Sequence, residues 1–459
     1  MIGKVLLLSL TLSAAHAQTA TSWVTSPDRS ALLKQSPPIP LTTQSTTGQT
    51  ITIDPARTYQ TIDGFGFALT EGSAQLIMHM DPAKRAALLQ NLFTTTGDNI
   101  GVSYLRLSIG ASDMNADVYS YDDLPAGQTD PSLAHFSLAH DQVALIPLLK
   151  EILAIDPKID ILGSPWSAPL WMKTNHGAQG GVLEPQYFPA YAQYFVKYIQ
   201  GMKAQGITID AITIQNEPLN EKNTPSMLML APEQADFIAN DLGPAFQKAG
   251  IHTKIILYDH TLDPPLYPLS ILRDPAAAKY VDGSGFHLYG GSVDAMTQVH
   301  DAFPNKNIYF TEQSITQRDN ADPMDISRTV AQVIIGVSRN WSKNILLWNL
   351  AADPANRPHT SNGGCGSCSG ALTIDGDTVT RNVAYYTLAQ ASKFVPPGSV
   401  RVGSNGLETL PNVAFKTPDG KQALIVSNTS GSTQRFTVHS GSQSFATSLE
   451  DGSVATYVW

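Results

Sequence analysis

Two glutamates stand where an apolar run stops. The stretch ITIQNEPLN alternates Ile212 and Ile214 with Thr213 and Gln215, then breaks at Asn216, Glu217 and Pro218. Alternation of period two marks a strand, and proline cannot donate to a ladder, so Glu217 is expected at a strand's carboxyl end. Asn307, Ile308, Tyr309, Phe310 and Thr311 repeat the pattern and stop at Glu312. Two carboxylates brought to one place can divide acid–base and nucleophilic work between them, as in the cleavage of glycosidic bonds. Asn-Glu-Pro alone also fits a glutamate that only caps a loop; the second strand ending in Glu312 favours chemistry.

For the two to meet, their strands must share a face. Strand patterns recur at 62–68, 102–109, 159–166, 209–217, 254–260, 283–289, 307–312 and 344–350. Helical patterns at 82–93, 141–154, 185–205, 232–249, 293–302 and 323–341 lie between them, several opened by proline in the first turn. The proline-rich segment after His260 gives no clear helix. Eight strands alternating with helices predict a (β/α)8 TIM barrel, an α/β fold whose sites lie at the carboxyl ends of the strands. From 396 the helical period disappears, and short strands at 400–402, 413–415, 423–427, 434–438 and 456–459 predict an appended antiparallel β-sandwich. The expected division is an extended lead-in at 18–50 with a short helix at 29–34, a strand at 51–61 joining the sandwich, the barrel at 62–395 and the sandwich at 396–459.

Residues 1–17 differ in kind: Lys4, an apolar run from Val5 to Leu12, then Ala15-His16-Ala17 before Gln18. That pattern is a signal peptide and implies export to the periplasm or the medium. With 42% hydrophobic and 15% charged residues in 459, the chain is globular, and no later stretch approaches the ~20 apolar residues of a membrane span. A net charge of −10 argues against nucleic acid or anionic membrane as partner. The two cysteines, Cys365 and Cys368, read as a short-loop disulfide in an exported chain. A metal-dependent hydrolase using Cys365, Cys368 and His359 is the competing reading.

Other strand ends carry Arg106, Asp113, Trp166, His287, Tyr289 and Trp348. Aromatic faces that stack on sugar C–H groups, beside amides and carboxylates that bond hydroxyls, suit a glycan better than a nucleotide, and no phosphate-binding glycine loop is present. Arg106, inside a strand, is expected to form a structural ion pair with a carboxylate. Asp63, in Asp63-Gly64-Phe65-Gly66, is expected to bond local backbone N–H groups.

The stretches SWVTSPDRSALL (22–33), TIDGFGFALT (61–70), LRLSIGASDM (105–114), SPWSAPLWMKTN (164–175), Asn216-Glu217-Pro218, Gly285 to Tyr289, Ile308 to Gln313 and Phe394 to Ser399 together resemble glycoside hydrolase family 30, the glucosylceramidase-like family of retaining barrel hydrolases. The resemblance implies that Glu217 is the acid/base and Glu312 the nucleophile. It also implies that Asp113, Trp166, Asn216, His287, Tyr289 and Trp348 line the sugar subsite, with no cofactor or metal. The loop around Cys365 and Cys368 resembles endo-β-1,6-glucanases more than animal glucosylceramidases. A β-linked glucan or glucoside is therefore the expected partner, with β-xylosidase and a silent glycan-binding protein as alternatives. On a retaining mechanism the two carboxylates should lie about 5–5.5 Å apart. The pKa of Glu217 should be raised by its neighbour and by burial, while Glu312 stays ionised with help from Tyr289 or Arg106.

Overall fold

Parallel strands covered by helices outside and side chains inside are buried on both faces, which is why these strands read as near-continuous apolar runs. In the computed structural model, which describes residues 18–42, 48–263, 265–316 and 323–459, eight such strands close into a barrel in chain order. They are Gly64–Ala68, Tyr104–Ser108, Asp160–Ser164, Ala211–Thr213, Lys254–Thr261, Val281–His287, Asn307–Glu312 and Ser342–Leu347. Tyr104, Leu162, Ala211, Ile256, Tyr309 and Leu346 fill its interior. Gly66 makes this possible on one side: a Cβ there would lie 1.6 Å from the carbonyl oxygen of Tyr104. The segment 1–17 and its expected cleavage site lie outside the described residues.

The helices cover the outside. Pro82–Phe93 starts on Asp81, whose carboxylate accepts from the N–H groups of Ala83 and Lys84. The helix expected from 141 begins only at Leu145, because the Asp141 carboxylate is taken by the hydroxyls of Tyr119 and Tyr121. After the fifth strand come two short helices, Leu266–Leu272 and Pro275–Ala278. Glu71–Met78 and Val383–Ser392 are helices that the sequence reading did not propose. Among the described residues, no helix is long and apolar enough to cross a membrane.

Two expectations are corrected. No helix forms at 29–34: Arg29 and Leu33 adopt φ of 62° and 50°, and the Ser26, Asp28 and Ser30 side chains bond one another. Asp63 does not bond local N–H groups with its carboxylate. Its side chain reaches Lys343 Nζ at 3.1 Å and Lys254 Nζ at 3.6 Å, tying the first, fifth and eighth strands at the barrel's amino-terminal end.

The sandwich is a ten-stranded sheet folded over a core of Ile51, Ile53, Val402, Leu424, Val426, Phe436, Val438, Phe445 and Tyr457. Strands from before and after the barrel enter it. Thr19–Thr25 pairs antiparallel with Val454–Val458, and Gln49–Thr61 lies between Val400–Ser404 and Gln434–Ser440. Gln60 Nε2 donates to the carbonyls of Ser338 and Ser342, joining sandwich to barrel.

Candidate active site

The carboxyl ends of six barrel strands converge on one buried ion cluster. Its centre is Arg106, in the second strand and fully buried. Nη1 donates to Glu312 Oε2 at 2.5 Å, and Nη2 to Asp259 Oδ2 at 2.8 Å, Asn216 Oδ1 at 2.8 Å and Ser164 Oγ at 3.1 Å. The expected structural ion pair thus includes the candidate nucleophile itself. A guanidinium suits this position because its planar donors satisfy several acceptors in fixed directions.

Asp259 is the residue that the sequence reading passed over. It is fully buried and accepts from Arg106, Ser164 Oγ (2.7 Å), Thr213 Oγ1 (2.7 Å) and Thr311 Oγ1 (2.5 Å), while Oδ1 lies 3.0 Å from His287 Nε2. Against its burial, the Arg106 charge and the bonds from His287 and Thr311 hold its carboxyl far below the usual range. The signal was present in the sequence: Tyr258-Asp259-His260 ends the apolar run of the fifth strand just as Asn216-Glu217 ends the fourth.

The backbone is bent where these groups are presented. Glu217, Tyr258 and Asp259 adopt φ of 45°, 75° and 62°, a region that costs a side-chain-bearing residue about 1–3 kcal/mol. The Glu217 N–H donates to the Asp259 carbonyl at 2.9 Å, so the two bends support each other.

Glu217 Oε2 accepts from Asn220 Nδ2 at 2.6 Å, and Oε1 lies 3.4 Å from His287 Nδ1. Tyr289 Oη donates to Glu312 Oε1 at 2.9 Å and accepts from the Ser314 N–H. One ligand atom each from Glu217, His287 and Glu312 lie within 4.8 Å of one another. Two carboxylates in such close approach can act together on one bond.

The protonation directions differ from the sequence expectation. Burial alone would lower His287, but Glu312, Asp259 and Glu217 around it push it up to about 9. Burial alone would raise Glu217, yet the imidazolium of His287 and the amide of Asn220 bring it below its ordinary value. Burial raises Glu312, with His287 and Arg106 opposing and Glu217 adding to the rise. With these directions the shared proton stands on His287, 3.4 Å from Glu217.

A cavity of about 460 Å³ opens over this cluster. Asp113, Trp166, Asn216, Glu217, Tyr289, Glu312 and Trp348 line it, so the structure brings together the expected sugar-subsite residues with His287 just beneath. The rings of Trp166 and Trp348 are 5.3 Å apart, with Arg106 4.8 Å from the first. Asp113 is buried with Oδ1 unpartnered, and burial followed by the charges of Glu312 and Glu217 raises it to about 8. It can thus donate to one hydroxyl and accept from another. Clefts of about 700 and 530 Å³ at the amino-terminal end of the barrel contain none of these residues. Cys365 and Cys368 form a disulfide, which removes both from any thiolate ligand set and with it the metal-hydrolase reading.

Comparison with known proteins places the chain in a family. Residues 62–395 match the glycosyl hydrolase family 30 TIM-barrel domain, and residues 398–457 the family 30 beta sandwich domain. The chain is 39% identical over 414 residues to an endo-1,6-beta-D-glucanase of Neurospora crassa, covering 85% of this chain and 84% of that one. It is 31% identical over 441 residues to the lysosomal acid glucosylceramidase of Mus musculus, covering 90% and 84%. A solved endo-beta1,6-glucanase structure superposes with a TM-score of 0.89 at 35% identity, covering 96% of this chain and 99% of that one. The chain belongs to glycoside hydrolase family 30, a family of retaining β-glycosidases.

Proposed function

We propose that this protein is a secreted hydrolase of β-1,6-linked glucan, with Glu312 as nucleophile and Glu217 as acid/base. The observation that carries the reading is the unequal dressing of two carboxylates in close approach: Glu312 takes Arg106 and Tyr289, whereas Glu217 faces His287. The name of the Neurospora crassa relative supports the choice of glucan, and the leader-like residues 1–17 support export.

In the first step a Glu312 oxygen bonds to the anomeric carbon as the bond to the leaving oxygen breaks, and Glu217 gives that oxygen its proton. In the second, Glu217 takes a proton from water, the hydroxide attacks the anomeric carbon, and Glu312 leaves as carboxylate. His287 supplies the proton that makes Glu217 an acid, across the 3.4 Å contact. Arg106 occupies Asn216 Oδ1, which leaves the Asn216 amide N–H groups to hold the sugar's 2-hydroxyl. No cofactor is required, since the carboxylates fill both roles.

Incubation with β-1,6-glucan should release short β-1,6-linked oligosaccharides whose new reducing ends are first β; glucosylceramide or an aryl β-xyloside as the faster substrate would overturn the choice of glucan. Glu217→Ala should slow natural substrates about 10²–10⁴-fold, as expected for loss of a general acid. Activated aryl glucosides should recover with azide and yield a β-glycosyl azide; an α-azide would refute the roles.

The alkaline limb of kcat/KM reports the free enzyme. The proton shared by His287 and Glu217 is retained below the raised His287 value and lost above it, so activity should fall as pH rises through about 9. His287→Asn should move that limb to lower pH; an unmoved limb would show that the proton comes from elsewhere.

A further inference from the structure

The chain after the eighth strand does not follow the rim of the barrel but crosses its mouth. Thr360 donates its N–H to the Asp113 carbonyl at 3.0 Å and its hydroxyl to the Thr224 carbonyl at 2.8 Å. The Thr224 N–H returns a bond to the Gly363 carbonyl, and Ser369 Oγ donates to the Thr316 carbonyl at 2.9 Å. These contacts moor the segment to the loops after the second, fourth and seventh strands. Between the moorings, residues 363–368 form one wall of the cavity over Glu217 and Glu312, with Asn223 also on the lining.

That wall is made of Gly-Gly-Cys-Gly-Ser-Cys, among the least self-ordering sequences available, because glycine loses the most backbone freedom on folding. Two of its three glycines, Gly363 and Gly364, cannot readily be replaced. A Cβ on Gly363 would lie 2.7 Å from Thr224 Oγ1, and one on Gly364 2.4 Å from the Thr360 carbonyl oxygen. The bridge supplies the order that the sequence lacks. Cys368 is buried against Ala68, Met114, Trp166 and Trp348, with Cys365 packed beside it and Ser314 Oγ 3.8 Å from its sulfur. A loop closed over so few residues contributes at most about 3 kcal/mol to global stability. Its effect is therefore concentrated on the segment that touches substrate.

We propose that the Cys365–Cys368 bridge determines specificity by fixing the 363–368 backbone as the surface against which a second β-linked hexosyl unit docks, next to the one being transferred. The proposal rests on the glycan reading of the site. The wall presents the Ser367 hydroxyl to sugar hydroxyls, with its backbone carbonyls held by bonds within the protein, while the sulfurs extend the apolar floor of the two tryptophans. A loosened wall costs contacts to the second unit and leaves Arg106, Asp259 and the two glutamates in place.

The test compares wild type, wild type treated with a phosphine reductant, and Cys365→Ser/Cys368→Ser. KM and kcat are measured on an aryl β-glucoside, with one sugar unit, and on β-1,6-linked gluco-oligosaccharides. The ratio of oligosaccharide KM to aryl-glucoside KM should rise about tenfold, the scale of one or two lost hydrogen bonds, with kcat for both substrates falling less than the KM ratio changes. Reduction of the already folded wild type should reproduce the shift, which separates it from misfolding of the variant. Parallel losses on both substrates, or an unchanged ratio, would overturn the proposal. If wild type leaves β-1,6-glucan intact, the substrate reading fails by itself. The bridge is then judged on whichever aryl β-glycoside is turned over, through inhibition by β-linked disaccharides and monosaccharides: removal of the bridge must weaken the former and spare the latter.

Discussion

Glu312→Gln should abolish turnover of every glycoside, with kcat falling on the order of 10⁵-fold, comparable to losing a nucleophile in other covalent mechanisms. The amide cannot attack the anomeric carbon, and on the proposed roles Glu217 is committed to the leaving oxygen. The fold should survive. The substituted side chain still offers a carbonyl oxygen to Arg106 or Tyr289, which donate to the native carboxylate at 2.5 and 2.9 Å, and Arg106 keeps Asp259 as counter-charge. A melting curve close to that of the wild type, together with loss of labelling by a 2-fluoro glucoside that tags the Glu312 peptide in the wild type, would establish the role. Residual kcat above about 1% of wild type would refute it.

The second large effect is on stability. Asp259→Ala should destabilise the protein by about 3–5 kcal/mol, because it removes one of the two carboxylates paired with a guanidinium that has no exposed surface. Three hydroxyls and His287 lose a shared acceptor at the same time. The pH dependence has a definite sign. The folded pKa of Asp259 lies far below its unfolded value, so its contribution is complete above about pH 4 and is lost only as pH falls toward the folded value. Urea denaturation of both proteins should show a gap that narrows in strong acid, and narrows again as pH rises from about 6.5 toward about 9, where His287, held up in part by Asp259, loses its proton. A gap under about 1 kcal/mol at neutral pH would mean that the pair behaves like a surface contact. Asp259→Asn, which keeps the shape and loses the charge, should fall between the two.

The barrel was legible because its information is local. Each strand is a short apolar run, and each functional residue lies just past the point where the run stops, as Glu217 and Glu312 do. What escaped the sequence is what depends on distant partners or on a missing period. Every residue of the helix Val383–Ser392 is buried, so it has no polar face to set a 3.6-residue rhythm. Glu71–Met78 begins with buried Glu71, Gly72 and Ser73, a composition that reads as loop. Asp259 sat in plain view within a strand, but its importance comes from five partners spread over the chain. The protonation of Glu217 was inferred from its fellow glutamate and from burial, whereas the group that reverses the direction is His287, which only the closed barrel brings to 3.4 Å.

The pairing of the two chain ends bears on the order in which the molecule can assemble. Ser22 lies opposite Tyr457, and Val454–Val458 is hydrogen-bonded between Thr19–Thr25 on one side and Gln422–Ser427 on the other. Thr19–Thr25 finds a local partner in Lys34–Gln35, but its pairing with Val454–Val458 must wait until that distant strand has been made. Contacts so far apart in sequence are slow to close, and an unpaired strand edge is open to association with other chains in the interval. Closure of the sandwich is therefore the late and aggregation-exposed step of folding, whereas successive barrel strands are neighbours in chain order.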